Sequence, residues 1–203
     1  VTGITVFGLT VNNKVYDGTV TAPLDTNNIS YSGLVEGDDF TGTYTGVFAN
    51  ANVGTNKTVT ITPTYSGADV GNYSVTDQST ATGNIVAKTL TATASAANKT
   101  YDGDNTATTT LTLSGLVDLE TLSTTNTSTF NNKNVGTGKT VTVNSITLAD
   151  GTGLAANYSI SPGQTTTADV TAKALSVSGI TASNKTYDAT TTATLNTGSV
   201  TYT

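Results

Sequence analysis

The chain has 203 residues and a formal net charge of -6, and only 11% of its residues are charged. It contains no histidine, cysteine or arginine, so it lacks the groups on which most acid–base and nucleophilic catalysis depends and cannot form disulfides or Cys/His zinc sites. Without a basic cluster or a run of eighteen apolar residues, it is not expected to bind nucleic acid or to insert into a membrane.

Threonine supplies roughly a quarter of the chain, and it favours strands, while glycine and asparagine favour turns. Short segments alternate apolar residues with Thr or Ser, which is the period of a half-buried strand. In chain order, the clearest are Ile4–Val6, Thr58–Ile61, Tyr73–Val75, Leu111–Leu113, Thr140–Val143 and Tyr158–Ile160. The small-residue segment from Ala92 to Ala97 is too short for a stable helix, and we interpret it as linker or strand edge. The sequence predicts an all-β fold.

The order of motifs indicates internal repeats. Tyr-Asp recurs at Tyr16-Asp17, Tyr101-Asp102 and Tyr187-Asp188, at spacings of 85 and 86 residues. Further matches keep their order: Ser32–Val35 with Ser114–Val117, Asn52–Thr55 with Asn134–Thr137, and Asn72–Ser74 with Asn157–Ser159. The offset changes from 85 to 82 and back, which places three extra residues before Ser32 and three before Asn157. These matches predict β-repeats at 1–87 and 88–172 and a partial repeat at 173–203.

About seven short strands in each repeat favour a small two-sheet sandwich of immunoglobulin-like proportions. With short linkers at Lys88-Thr89 and Lys173-Ala174, tandem sandwiches would stack end to end into an elongated rod. A β-grasp-like domain and elongated open sheets are the alternatives.

The repeats resemble the YDG-type repeats of bacterial surface proteins and filamentous-haemagglutinin-like adhesins. The residues that carry the resemblance are Asn98–Gly103, Ser114–Val117, Phe130 with Asn134–Thr140, and Gly67–Tyr73. The sequence departs from the pattern at Val15, where the pattern has Thr, at Ala189, which replaces the motif glycine, and between Gly151 and Ala156, which lacks a counterpart of Asp69. The resemblance implies stalk modules that lie outside the cell or on its surface.

The Tyr-Asp-Gly motif predicts a tight turn, in which glycine takes positive φ, aspartate binds local amides and tyrosine packs at the sandwich edge. At the same φ, Ala189 should cost about 1 kcal/mol. We therefore predict a structural role for Tyr16, Asp17, Gly18, Tyr101, Asp102, Gly103, Tyr187 and Asp188.

Two acidic clusters are weak calcium candidates, because hard cations prefer carboxylate oxygens. One contains Glu36, Asp38 and Asp39, and the other contains Asp102 and Asp104. The second repeat has Asp118 and Glu120 instead of the first cluster, in what we interpret as a different register. No EF-hand loop is present, so solvated loops are the favoured interpretation and no cofactor or catalytic residue is predicted.

Lys14, Lys99 and Lys185 each precede a Tyr-Asp pair, and we interpret them as edge-strand lysines that discourage aggregation. A cross-link from lysine to an asparagine is the alternative. Glycosylation triplets occur at Asn28, Asn56, Asn72, Asn98, Asn126, Asn157 and Asn184. Asn72 and Asn157 recur at equivalent positions, which turn chemistry also explains.

Two strands cannot bury a sheet face alone, so residues 173–203 need a covering partner. Three explanations are open: these residues are the cut end of a longer array, the folding unit is offset from the sequence repeat, or the strands complete a neighbouring molecule by strand addition. We expect a non-enzymatic extracellular module, a stalk or filament-forming segment of a bacterial adhesin-like protein active in cell adhesion and biofilm formation. Its partners would be neighbouring repeats of the same or identical chains. The alternative is a ligand-binding adhesin domain that recognises a glycan or host protein.

Overall fold

The computed structural model describes residues 1–203, and the protein is all-β, as the sequence predicts. Its helical elements are two three-residue 3₁₀ turns, Val70–Asn72 and Ala155–Asn157. Neither turn has the length or the hydrophobicity that a membrane-crossing helix needs.

The first repeat folds into ten short strands. They are β1 (Thr2–Phe7), β2 (Thr10–Val11), β3 (Lys14–Val15), β4 (Thr21–Ala22), β5 (Leu24–Asp25), β6 (Ser30–Ser32), β7 (Thr41–Phe48), β8 (Gly54–Ser66), β9 (Tyr73–Thr76) and β10 (Thr80–Val86). A three-stranded sheet has the order β6-β1-β9, a five-stranded sheet has the order β3-β10-β8-β7-β4, and β2 pairs with β5. The pairs β1/β9 and β3/β10 are parallel, and the other pairs are antiparallel.

The second repeat contains nine strands with a related pairing. They are β11 (Lys88–Thr89), β12 (Thr91–Ala96), β13 (Lys99–Thr100), β14 (Thr106–Ala107), β15 (Thr109–Ser114), β16 (Leu122–Phe130), β17 (Gly136–Asp150), β18 (Tyr158–Ser159) and β19 (Thr165–Thr171). The five-stranded sheet β13-β19-β17-β16-β14 corresponds to that of the first repeat. Strand β11 runs parallel to β18, and β12 pairs with β15. Each repeat thus has more strands than the seven expected, and two of them are long: β8 has 13 residues and β17 has 15.

The first repeat interrupts its first hairpin at Gly8, which has φ of 93°. A Cβ there would lie 2.1 Å from the carbonyl oxygen of Asn28, so only glycine fits. Asn28 lies in the longer loop of this repeat, where the sequence places the three extra residues. In the second repeat, β12 and β15 instead form one continuous ladder of six residue pairs. The insertion therefore bends this hairpin of the first repeat.

One hydrophobic cluster of 13 buried residues dominates the core. The three-stranded sheet contributes Ile4 and Val6, and the five-stranded sheet contributes residues such as Phe48 and Val59. The same cluster contains three residues of the second repeat, namely Leu90, Val117 and Tyr158. A separate cluster in the second repeat contains Phe130, Val141, Ala168 and Val170. The core therefore crosses the boundary between the repeats, and the repeat bounds 1–87 and 88–172 stay a prediction.

The connection between the repeats is shorter than expected. Only Ala87 separates β10 from β11, and the predicted linker Lys88-Thr89 is itself strand β11. The small-residue segment after it is also strand, since β12 covers Thr91–Ala96. The linker interpretation of Lys88-Thr89 is therefore wrong, whereas for Ala92 to Ala97 the strand alternative is the correct one.

Residues 173–203 form a separate hairpin. Its strands are β20 (Val177–Ser178), β21 (Thr181–Ala182), β22 (Leu195–Asn196) and β23 (Thr201–Tyr202), with β20 paired to β23 and β21 to β22. The hairpin follows the first repeat, because Gly179 has φ of 81° and a Cβ there would lie 2.1 Å from the carbonyl oxygen of Ser199. Its apolar residues are uncovered: Val177 is 50% exposed, whereas the equivalent Val6 is 2% exposed.

Candidate functional site at the junction of the repeats

Each Tyr-Asp turn is organised around the ammonium group of the preceding lysine. Lys14 Nζ donates to the carbonyl oxygens of Thr19 and Thr21, at 2.8 and 2.9 Å, and to Thr19 Oγ1 at 2.7 Å. Asp17 Oδ1 lies 2.8 Å from the same nitrogen and also accepts the Thr19 amide. Lys14 is only 8% exposed. The buried ammonium group therefore holds the turn together by binding its carbonyl and carboxylate oxygens.

The other two turns repeat this arrangement. Lys99 Nζ binds the carbonyl oxygens of Asp104 and Thr106 and the carboxylates of Asp102 and Asp104. Lys185 Nζ binds the carbonyl oxygens of Thr190 and Thr192 and the carboxylate of Asp188. The third turn forms in a hairpin that has no hydrogen bond to residues 1–172, so this geometry needs only the local chain.

These contacts correct the interpretation of the lysines. Lys14 and Lys99 do lie in the sheet-edge strands β3 and β13, as expected, but their ammonium groups bind turn carbonyl oxygens. The acceptors around Lys14, Lys99 and Lys185 are carbonyl, hydroxyl and aspartate oxygens, with no asparagine side chain among them. The geometry for the lysine–asparagine cross-link is therefore not present at these three sites.

The motif residue after aspartate has left-handed backbone geometry in all three turns. Gly18 and Gly103 have φ of 77° and 95°, and Ala189 has φ of 60°. Ala189 thus keeps the turn with a residue for which this conformation is strained. A Cβ at Gly103 would meet open space, whereas at Gly18 it would lie 3.0 Å from Val117 Cγ1 of the second repeat. The first turn therefore lies against the second repeat.

Tyr16 makes the central contact of this junction. Its hydroxyl donates to Glu120 Oε1 at 2.6 Å, and the Tyr158 hydroxyl donates to Glu120 Oε2 at 2.5 Å. The two rings meet edge to face, with centroids 5.3 Å apart. Tyr16 and Tyr158 are 5% and 6% exposed. One glutamate of the second repeat thus holds one tyrosine from each repeat.

Asn157 joins the repeats at a second point. Its Oδ1 accepts the backbone amide of Val53 at 2.9 Å, and its Nδ2 donates to Asn52 Oδ1 at 3.0 Å. The side chain is 2% exposed and uses its amide as both acceptor and donor across the junction. Asn157 is therefore closed to glycosylation in this fold, whereas Asn72 makes local turn hydrogen bonds to Asp69.

The first repeat has its own version of the second repeat's junction residues. Tyr73 Oη accepts the Val35 amide at 3.1 Å and donates to Asp38 Oδ2 at 2.5 Å. Tyr158 Oη likewise accepts the Val117 amide, at 2.9 Å. Asp38 therefore corresponds to Glu120. The expectation that the acids of the two repeats lie in different registers is wrong, because their offset of 82 residues is that of the Ser-Gly-Leu-Val motif.

The weak calcium candidates are engaged with protein groups. Asp38 accepts the Tyr73 hydroxyl, and Asp39 Oδ2 accepts the Ala68 amide at 3.0 Å. Asp102 and Asp104 bind Lys99, and Glu36 is exposed. No three His, Cys, Asp or Glu side chains come together as a metal site, so Glu36, Asp38 and Asp39 do not form a three-carboxylate cluster, whereas Asp102 and Asp104 do meet, at Lys99 Nζ.

Burial and hydrogen bonding shift the pKa values of these groups. Burial, together with the hydrogen bond to Glu120, raises the pKa of Tyr16 to about 12. Burial and Glu120 also raise the pKa of Tyr158. The Lys99 ammonium lowers the pKa of Asp104 to about 2. The junction therefore favours neutral tyrosines around one carboxylate.

Sequence reasoning identified Tyr16, Asp17 and Gly18 but not their partners. It missed the roles of Glu120, Asn157, Asn52 and Val53. The available signal was recurrence, since Asn52-Val53 and Asn157-Tyr158 lie in segments that match between repeats.

We expect Gly103→Ala to lower the free energy of unfolding by about 1 kcal/mol, because only the positive φ opposes a methyl group there. Gly18→Ala should cost more, because its methyl group also meets Val117. Denaturant unfolding of both variants measures the difference, with Gly71→Ala as the control, since Gly71 has neither positive φ nor a close neighbour. Equal losses for the two turn variants would contradict this account of Gly18.

Removing the junction carboxylate with Glu120→Ala should lower the free energy of unfolding by about 1–3 kcal/mol, because two largely buried hydroxyl groups lose their acceptor. Asp38→Ala is the matched control, since its carboxylate serves one tyrosine, Tyr73, at the uncovered end of the first repeat. Its loss should be clearly smaller. Similar losses for the two variants in denaturant unfolding would show that the junction adds nothing.

The unfolding free energy should also fall as the pH rises above about 10. The raised pKa of Tyr16 means that the folded chain keeps this proton while the unfolded chain releases it, so stability is lost between the unfolded pKa near 10 and the folded pKa of about 12. Urea unfolding at about pH 9 and pH 11 measures the loss. Tyr16→Phe removes this titrating hydroxyl and should lose less between the two pH values; an unchanged loss would contradict the prediction.

Comparison with known proteins gives one family. The model of the YDG domain matches the chain twice, at residues 3–82 and 86–168. No curated protein matches the chain. No solved structure matches it. Because the two matches together cover well over half of the chain, it belongs to the YDG domain family.

Proposed function

We propose that this chain is a non-enzymatic structural module, a stalk or filament-forming segment of a bacterial adhesin-like protein at the cell surface. The observation that carries the proposal is the shared core: Leu90, Val117 and Tyr158 of the second repeat lie in the hydrophobic cluster of the first. A spacer must hold its repeats in fixed relative positions, and a shared core with a one-residue connection provides that restraint.

The proposed architecture is a tandem array of small sandwich-like repeats in an elongated rod. In its support, the three- and five-stranded sheets of the first repeat contribute to one cluster, and three residues of the second repeat lie in the same cluster. The extracellular location rests on the resemblance to surface-protein repeats. The free edges of the 173–203 hairpin leave assembly by strand addition within the same proposal.

The test is the rigidity of the junction in the full chain. The protein has no cysteine, so Thr60→Cys and Thr167→Cys, at exposed strand positions of the two repeats, introduce a unique pair of spin-label sites. Double electron–electron resonance should give one narrow distance distribution. The same pair combined with Tyr16→Ala should give a broader one, because the ring and the hydrogen bond to Glu120 are removed.

A broad distribution in the labelled chain without the Tyr16 change would contradict a spacer role. Glycan binding that persists on dilution and maps to one repeat would instead favour the ligand-binding adhesin alternative.

A further inference from the structure

The junction joins two different surfaces. The head surface of the first repeat consists of Tyr16, Gly18, Asn52 and Val53. The tail surface of the second repeat consists of Val117, Glu120, Asn157 and Tyr158. Because the two surfaces differ, their contact is heterologous, and such contacts generate open linear arrays when they recur between copies.

Each surface has an uncovered counterpart elsewhere in the chain. The head surface of the second repeat consists of Tyr101, Gly103, Asn134 and Val135, which match the first head surface in the same order. The tail surface of the first repeat consists of Val35, Asp38, Asn72 and Tyr73. Residues 1–203 therefore leave one head surface and one tail surface uncovered, and these are named here the free head and free tail surfaces.

Equivalent residues are more exposed on the free surfaces than at the junction. Val117 is 7% exposed at the junction, whereas its counterpart Val35 is 54% exposed. Asn157 is 2% exposed, whereas Asn72 is exposed. On the head side, Val53 is half-buried, whereas Val135 is 55% exposed. Val35, Asn72 and Val135 are thus more exposed than their counterparts at the junction, whereas Tyr101, the counterpart of Tyr16, is half-buried against the Phe130 cluster of its own repeat.

The free tail surface already has its docking arrangement. The Tyr73 hydroxyl accepts the Val35 amide and donates to Asp38 Oδ2, as Tyr158 does with Val117 and Glu120. Asp38 Oδ1 corresponds to the Glu120 oxygen that accepts Tyr16. Asp38 is one methylene shorter than Glu120, so the incoming tyrosine must approach more closely than it does at the internal junction.

Charge also favours the pairing. The free tail surface lies among the carboxylates of Glu36, Asp38, Asp39 and Asp69, whereas the region of the free head surface has three lysines, Lys99, Lys133 and Lys139, against two aspartates, Asp102 and Asp104. Lys133 is exposed. Opposite charges on the two surfaces promote encounter and oppose head-to-head and tail-to-tail contacts.

We propose that the free head surface of one copy docks onto the free tail surface of a second copy of this chain, in the geometry of the internal junction. We assign the partner as a second copy because its first repeat carries the tail-surface residues in the same order as the second repeat does. The 173–203 hairpin, which makes no hydrogen bond to the second repeat, moves aside for it. The inference rests on the proposed structural function and specifies how the filament form would assemble.

The experiment is sedimentation velocity of the full 203-residue chain over a concentration series. We expect the mean mass to rise with concentration and to fall when salt is raised. Val135→Asp on the head surface and Val35→Asp on the tail surface place a charge in an apolar contact, and each should weaken association about tenfold or more. Val47→Asp, at an exposed valine outside both surfaces, is the control and should associate as the unchanged protein does.

Mixing the two variants gives the sharpest outcome. The Val135→Asp chain keeps a working tail and the Val35→Asp chain keeps a working head, so the mixture should stop at dimers. A chain that stays monomeric throughout, or variants that associate like Val47→Asp, would overturn the proposal; the second result would point to strand addition by the hairpin. Neither result alters the spin-label distance distribution, so the proposed spacer function would stand or fall separately.

Discussion

A buried tyrosine hydroxyl must have a hydrogen-bond partner, and the arrangement of this protein depends on how Tyr16 finds one. The acceptor is Glu120, which belongs to the next repeat and which also holds Tyr158. A chain in which only 35% of residues are hydrophobic has a thin core in each repeat. Extending one hydrophobic cluster across the boundary gives the chain a larger core than either repeat could form by itself.

The lysine-centred turn is the local device that makes this contact possible. It forms in the 173–203 hairpin, where Tyr187 is 90% exposed, as well as in the first repeat, where Tyr16 is 5% exposed. The turn is therefore preorganised by Lys, Asp and Thr groups, and the tyrosine is presented before any partner covers it. Preorganisation reduces the ordering entropy that docking would otherwise cost. The price of the left-handed position is small at glycine and larger at Ala189.

Much of the fold follows from the sequence, because strand alternation and turn glycines are local properties. The all-β class and the positive φ of Gly18 and Gly103 needed no knowledge of the tertiary structure. The contacts between the repeats could not be predicted in the same way. Alternation identifies the buried face of a strand but not the element that covers it, and Tyr16 was therefore assigned to the edge of its own repeat. The correspondence of Asp38 with Glu120 could have been predicted from the sequence, because the two acids are 82 residues apart, as are the two copies of the Ser-Gly-Leu-Val motif.

The two tail surfaces show how loop length and side-chain length depend on each other. The second repeat has the longer loop between Asp150 and Asn157, and within it a Cβ at Gly153 would lie 2.5 Å from Glu120 Oε2. The loop therefore packs closely on the glutamate and needs glycine to do so. The first repeat has a shorter loop and a shorter acid, Asp38. In both repeats the carboxylate accepts a hydrogen bond from the strand tyrosine, Tyr73 or Tyr158. The longer loop goes with the longer acid, so the acceptor stays at the same end of the repeat.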